Sequence, residues 1–186
     1  MSEIFEEELK QIQDNEIREF TRYILSKRPS YFDHVAASST GKYHNPNENG
    51  VGGLIRHTKG VCYMAKEFAS VYNFAPIDVD IVMSAAILHD ICKYGIGIKQ
   101  AHTTRDHDEQ GAKYIQIMAK TAPPCRYLDE ICRAVAAHMG RWKVGKTVVF
   151  PKDLNEIQQC LHLADVAASR KKVNIELFDE DTPLIG

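Results

Sequence analysis

Apolar side chains recur along most of this chain at the three- and four-residue spacing of amphipathic helices, and strict alternation is almost absent. From Glu3 to about Lys27, Phe5, Leu9, Ile12, Phe20 and Ile24 keep that spacing. Arg28-Pro29 ends the segment, because proline lacks the amide hydrogen a further turn would need. Residues 30–53 lose the pattern. They are rich in Ser, Gly, Asn and Pro and read as a long irregular segment. Helices are expected again over about 54–73, 78–94, 107–121, 124–140 and 153–170, most of them parted by Gly, Pro or polar clusters. The run from Trp142 to Phe150 suits a small hairpin or an extended lid, with Gly145 at its turn. No internal repeat or low-complexity tract interrupts the order. The expectation is an all-α protein: an N-terminal helical extension over 1–35, one helical domain over 36–173 and a C-terminal tail over 174–186.

Composition adds exclusions. Of 186 residues, 44% are hydrophobic and 26% charged, enough apolar surface for a sizeable core. The 23 basic and 25 acidic residues give a net charge of -2, which argues against a protein that binds long duplex nucleic acid without sequence preference. No stretch approaches the roughly 20 apolar residues that cross a bilayer. The acidic start, Met1 to Glu8, has neither the basic residues nor the apolar run of a signal peptide, so no membrane partner and a cytoplasmic location are expected. Cys62, Cys92, Cys125, Cys132 and Cys160 are odd in number and form no Cys-x-x-Cys pair; they read as reduced thiols in the core.

Candidate chemistry comes from polar residues in apolar places. His138 continues the stripe of Leu128, Ile131, Cys132 and Val135, and Asp165 shares a face with Leu154, Ile157, Leu161, Ala164 and Ala168. His89-Asp90 closes the apolar run Ile81 to Leu88. A buried carboxylate is costly without a partner or a metal. Any one of these histidines could be bonded to a backbone carbonyl, but several inward-facing His and Asp residues on separate helices favour one shared ion. Imidazole nitrogen with carboxylate oxygen suits Zn, Fe, Mn, Co or Ni, and no thiolate set competes.

These residues also carry a resemblance. Gly52-Gly53-Leu54-Ile55-Arg56-His57-Thr58, then Ala86-Ile87-Leu88-His89-Asp90-Ile91-Cys92-Lys93, resemble the HD-domain metal-dependent phosphohydrolases. His107-Asp108-Glu109-Gln110-Gly111 is similar to the family's third segment. Ala136-Ala137-His138-Met139-Gly140 is similar to its fourth, with Met139 where a second His is usual, and Leu163 to Arg170 is similar to the final Asp segment. The ordered match runs from about 36 to 170, which makes 36–173 the HD domain. Gly41-Lys42-Tyr43-His44 ahead of Gly52-Gly53 most resembles HD domains of bacterial 3′-5′ exoribonucleases, and the later segments resemble ribonuclease Y. The length leaves no room for the OB-fold or KH domain of those enzymes, so long RNA is not the expected substrate.

The resemblance implies a helical HD bundle with two divalent transition-metal ions (Mn, Fe, Co, Ni or Zn). His57, His89, Asp90 and Asp165 would hold one; His107, His138 and a shared Asp90 would hold the other. A metal-activated water would attack phosphorus in line, with Asp90 and Lys93 as the catalytic residues. Lys93, Arg141, Arg170 and His44 are the candidate substrate-binding residues. For each of them the alternative is an exposed side chain without a role. Arg105 and His102 precede His107 and would face the pocket mouth, and Tyr43 or Trp142 could stack on a base. The expected substrate is a small nucleotide, a dinucleotide or the end of a short single-stranded nucleic acid, cleaved as a phosphodiester or phosphomonoester. Two other readings stand beside it: a di-iron HD-domain oxygenase, and a non-catalytic HD scaffold that binds a nucleotide. The face formed by Phe5, Ile12 and Phe20 would serve either a homodimer or the chain's own core.

Overall fold

Capping side chains or a proline set where three of the described helices begin. The computed structural model describes residues 3–42, 44–140, 151–173, 175 and 177. Seven α-helices and several short 3₁₀ turns account for the regular structure among them, and no described residue lies in a strand. The helices are α1 (Glu6–Lys10), α2 (Asn15–Ser26), α3 (Gly53–Val71), α4 (Pro76–Leu88), α5 (His107–Ala119), α6 (Leu128–Ala137) and α7 (Glu156–Ala168). The fold is all-α, as the spacing of apolar residues led us to expect. The expected hairpin or lid over 142–150, Arg141, Tyr43 and most of the tail after 173 lie outside the described residues.

Helix α4 is the axis of the bundle. Its sequence is apolar on every side, and Ile81, Val82, Met83, Ala85, Ala86, Ile87 and Leu88 are all buried, the signature of a helix surrounded by others. It packs against α1, α2, α3, α6 and α7, while α3 lies along α7 and α5 along α6. The one polar residue midway along it, Ser84, shares a 2.7 Å hydrogen bond with Thr21 of α2, so neither buried hydroxyl is left unmet. Phe5, Leu9, Ile12, Ile17, Phe20 and Ile24 of the N-terminal segment are fully or almost fully buried in this same core. Phe5, Ile12 and Phe20 therefore point into their own chain. Cys62, Cys92, Cys132 and Cys160 are buried free thiols, and Cys125 is half-buried.

Several boundaries differ from those expected. The helix foreseen from Glu3 to Lys27 is broken after Lys10, and α2 starts afresh at Asn15. The break has a cause: the Asp14 side chain accepts from the amides of Glu16 and Ile17 as an N-cap, while the Asp80 carboxylate of α4 accepts from the amides of Gln13 (2.8 Å) and Asp14 (2.7 Å). A tertiary contact thus takes the amide hydrogens that a continuous helix would use, which periodicity within the segment could not reveal. Helix α6 begins at Leu128, beyond Pro123-Pro124, and α4 stops at Leu88, which leaves His89 and Asp90 in a turn. Asn155 opens α7 with a capping box shared with Gln158. No described helix is long and apolar enough to cross a membrane.

Asp80 is buried, and nothing else is placed to receive those two amides. Asp80→Ala should lower the unfolding free energy by about 2–4 kcal/mol, since two charge-assisted bonds are lost and two N–H groups stranded. Asp80→Asn should recover part of the loss. Urea unfolding of the three proteins measures this; an Asp80→Ala protein as stable as the parent would refute it.

Candidate metal centre

The ends of three helices, the first turns of a fourth and the last turns of a fifth converge on one carboxylate. His57 sits one turn into α3, His89 and Asp90 just past α4, His107 at the first position of α5, His138 at the C-cap of α6, and Asp165 in the last turns of α7. Asp90 is completely buried at the meeting point. Its Oδ2 lies 3.3 Å from His89 Nε2 and 3.8 Å from His57 Nε2, and its Oδ1 lies 3.2 Å from His107 Nε2 and 3.5 Å from His138 Nε2. Asp165 Oδ1 approaches His57 Nε2 from the other side at 3.1 Å. All six residues that the sequence singled out as metal ligands are therefore brought together. Each oxygen of Asp90 faces a different pair of imidazoles.

The histidine tautomers are fixed from behind. His89 Nδ1 donates to the Ala86 carbonyl at 2.7 Å, His107 Nδ1 to that of Thr104 at 2.6 Å, and His138 Nδ1 to that of Val135 at 2.7 Å. A carbonyl can only accept, so each Nδ1 carries the proton and each Nε2 turns a lone pair inward. Those three Nε2 atoms and Asp90 Oδ1 are buried and have no hydrogen-bond partner among the described residues. Buried acceptors aimed at one another are costly by themselves, and a cation between them removes the cost. His57, His89 and Asp165, and likewise His89, Asp90 and His138, stand close enough to hold a metal ion. The donor set of imidazoles and carboxylates fits a divalent transition metal.

His57 is held differently. Its Nδ1 faces Glu48 Oε2 at 3.5 Å, and the same oxygen accepts from His44 Nδ1 at 2.7 Å. The His44 and His57 rings meet edge-on with centroids 4.7 Å apart. Glu48 comes from the irregular segment before α3, and glycine lets it approach. A Cβ on Gly53 would lie 1.9 Å from the Glu48 carbonyl oxygen, which itself accepts from the Ala37 amide at 3.0 Å. Gly52, at φ +75°, starts the helix in a left-handed conformation that suits glycine. The Gly-Gly pair thus seats the Glu48 backbone against α3, one turn before His57.

The electrostatics follow from this geometry. Burial would lower the His57 pKa, but Glu48 on one side and Asp165 on the other push it up to about 10 in the metal-free protein. Burial would raise Glu48, yet His57 and His44 hold it down at about 2. Burial likewise opposes ionisation of Asp90, but the Lys93 ammonium beside it chiefly holds its carboxyl well below the usual range. Asp165 is also lowered, against its burial, chiefly by His57. Lys93 is buried with its Nζ 2.8 Å from Asp90 Oδ2, and Asp90 and Asp165 raise its pKa against the effect of burial. Both carboxylates are therefore ionised at neutral pH, as metal ligands must be.

The remaining candidates are distributed unevenly. His44 is buried behind His57 rather than on the surface, and Arg170 is exposed beyond the end of α7. Two supporting residues had no signal in the sequence. Glu48 lay in a stretch that read as irregular. His162 is buried and donates from Nδ1 to the His138 carbonyl at 2.7 Å, its ring filling the space that a Cβ on Gly140 (φ +49°) would enter. The only cue for that pair was a glycine two residues after a histidine.

The family model of the HD domain matches residues 54–169, more than half of the chain. No curated protein and no solved structure matches it.

A ligand-orienting carboxylate typically governs metal affinity by a factor of 10–100. Glu48→Gln should weaken binding of Mn²⁺ or Zn²⁺ by about that factor in chelator competition. It should also change the acid response of the metal-free protein. The folded-state pKa of Glu48 lies below its ordinary 4.5, so its contribution to stability is present above that value and is lost as pH falls toward about 2. The stability difference between the parent and Glu48→Gln should therefore shrink across that interval in pH-dependent unfolding; a difference constant with pH would contradict the ionised Glu48.

Proposed function

The chain belongs to the HD-domain family, whose members are generally metal-dependent phosphohydrolases, and on that premise we propose that it hydrolyses a phosphoester of a nucleotide, a dinucleotide or a short oligonucleotide end. The observation that carries this reading is the two-sided environment of Asp90, one oxygen toward His57 and His89 and the other toward His107 and His138. That arrangement supports a binuclear assignment. His57, His89, Asp165 and Asp90 Oδ2 would hold one ion, and His107, His138 and Asp90 Oδ1 the other.

Such ions, when bound, lower the pKa of a water and neutralise phosphoryl oxygens during in-line displacement. The chain's own residues set the conditions. The Nδ1–H bonds of His89, His107 and His138 keep the rings from rotating or changing tautomer. Burial of Asp90 and the four imidazoles keeps bulk water from competing as a base and strengthens each electrostatic contact. Lys93 stands beside Asp90 with its charge assured, and its ammonium can turn from the carboxylate to a phosphoryl oxygen as that charge builds up. No protein nucleophile is required.

The protein reconstituted with Mn²⁺, Co²⁺ or Ni²⁺ should bind about two ions per chain and hydrolyse bis(p-nitrophenyl) phosphate. Elemental analysis should fall toward one ion in His107→Ala and in His138→Ala, and Asp90→Ala should lose at least about 100-fold in rate. No metal after reconstitution would end the hydrolase reading. Two irons with turnover that consumes O₂ would replace it by the oxygenase.

A further inference from the structure

A cleft of about 570 Å³ opens beside the metal centre, on the segment that joins α4 to α5. Its volume is within the range of small-molecule sites. One wall is shared with the centre itself. The Thr104 amide donates to the Lys93 carbonyl at 3.0 Å, and the Thr104 carbonyl receives the His107 Nδ1 proton at 2.6 Å. A molecule in the cleft would touch the chain that fixes both residues.

The lining has a definite chemistry. Gln100, His102, Thr103, Thr104, Arg105 and Gln110 supply amide, imidazole, hydroxyl and guanidinium donors, and among the described residues no carboxylate lines the cleft although the chain has more acidic than basic residues. Arg105 has no ion pair or hydrogen bond with any described residue, and Thr104 Oγ1 is shut from solvent without a hydrogen-bond partner. Gln110 is already oriented, its amide nitrogen 2.8 Å from Asp106 Oδ1, and Thr103 is braced against Ser39 at 3.3 Å. Among the described residues the imidazole of His102 is the one ring that lines the cleft, and no Phe, Tyr or Trp is there to stack on a base. Donors without acids suit an anion, and the planar fork of an uncommitted arginine suits a phosphate.

We propose that this cleft is a subsite for a second, non-reacting phosphoryl group, so that the preferred substrate carries at least two phosphates: a dinucleotide, a nucleoside bisphosphate or an oligonucleotide end. The assignment rests on the hydrolase reading for the group that reacts, but the subsite itself is a matter of binding. The reacting phosphate would occupy the centre around Asp90, and Arg105, Thr104 and His102 would hold its neighbour. A monophosphate would use the centre alone.

The test is calorimetric titration of the metal-loaded chain with adenosine 3′,5′-bisphosphate and, separately, AMP, each ligand checked by chromatography after the run. The bisphosphate should bind about tenfold more tightly, the effect of a few charge-assisted hydrogen bonds. In Arg105→Gln the ratio of the two affinities should fall toward one. In Lys120→Gln, which removes the same charge at the far end of α5 about 20 Å away, it should not. Arg105 is exposed, so circular dichroism should show all three proteins equally folded. Equal affinities in the parent, no binding of either ligand, or a ratio unchanged in Arg105→Gln would each overturn the subsite. Parallel assays with bis(p-nitrophenyl) phosphate separate the two ideas. Hydrolysis without a bisphosphate preference removes the subsite alone, and a preference without hydrolysis removes the hydrolase reading alone.

Discussion

The buried carboxylate of Asp90 is the constraint to which the rest of this molecule answers. A charge with no exposure to solvent has to be compensated where it lies, and five residues from four stretches of chain deliver the compensation: His57, His89, Lys93, His107 and His138. In the metal-free protein Lys93 and His57 do so as cations, whereas the Nε2 atoms of His89, His107 and His138 turn an acceptor toward an acceptor. The protein alone therefore leaves the centre unfinished, and the unfinished part has the chemistry of a metal site. The all-apolar α4 makes this arrangement tolerable. It places Asp90 at the end of a helix that is covered on all sides, so the residues that compensate can arrive from every direction.

Much of this was legible from the sequence because burial and chemistry disagree along the chain. A histidine on the stripe of α6 and an aspartate on the inner face of α7 are conspicuous against apolar neighbours, and both lie at the centre. His57 and His107 were different. Nothing in their local patterns marked them, and they entered through resemblance to the segments of a family. Glu48 and His162 stayed hidden because they act on other ligands rather than toward the centre. Their partners, His57 and the His138 carbonyl, are set by loop paths and by the absence of a Cβ at Gly53 and Gly140, which no periodicity records. The break between α1 and α2 was hidden for the same reason, since Asp80 and the amides it receives are 66 and 67 residues apart.

The way the helices end and the way the histidines point are one structural event. A helix leaves its last four carbonyls without amide partners. At the end of α4 the Ala86 carbonyl receives the Nδ1 proton of His89, and at the end of α6 the Val135 carbonyl receives that of His138. The first bond satisfies an acceptor that the helix leaves open, and the second adds to a carbonyl that already receives the His138 amide at 3.4 Å. Each bond commits its ring to the tautomer that turns Nε2 toward Asp90. A histidine moved one turn earlier in α4 would face a carbonyl that already takes part in a helical hydrogen bond. The location of the centre at helix termini thus follows from backbone hydrogen-bond accounting. It also explains why a bundle with a rigid apolar axis carries its chemistry where that axis stops.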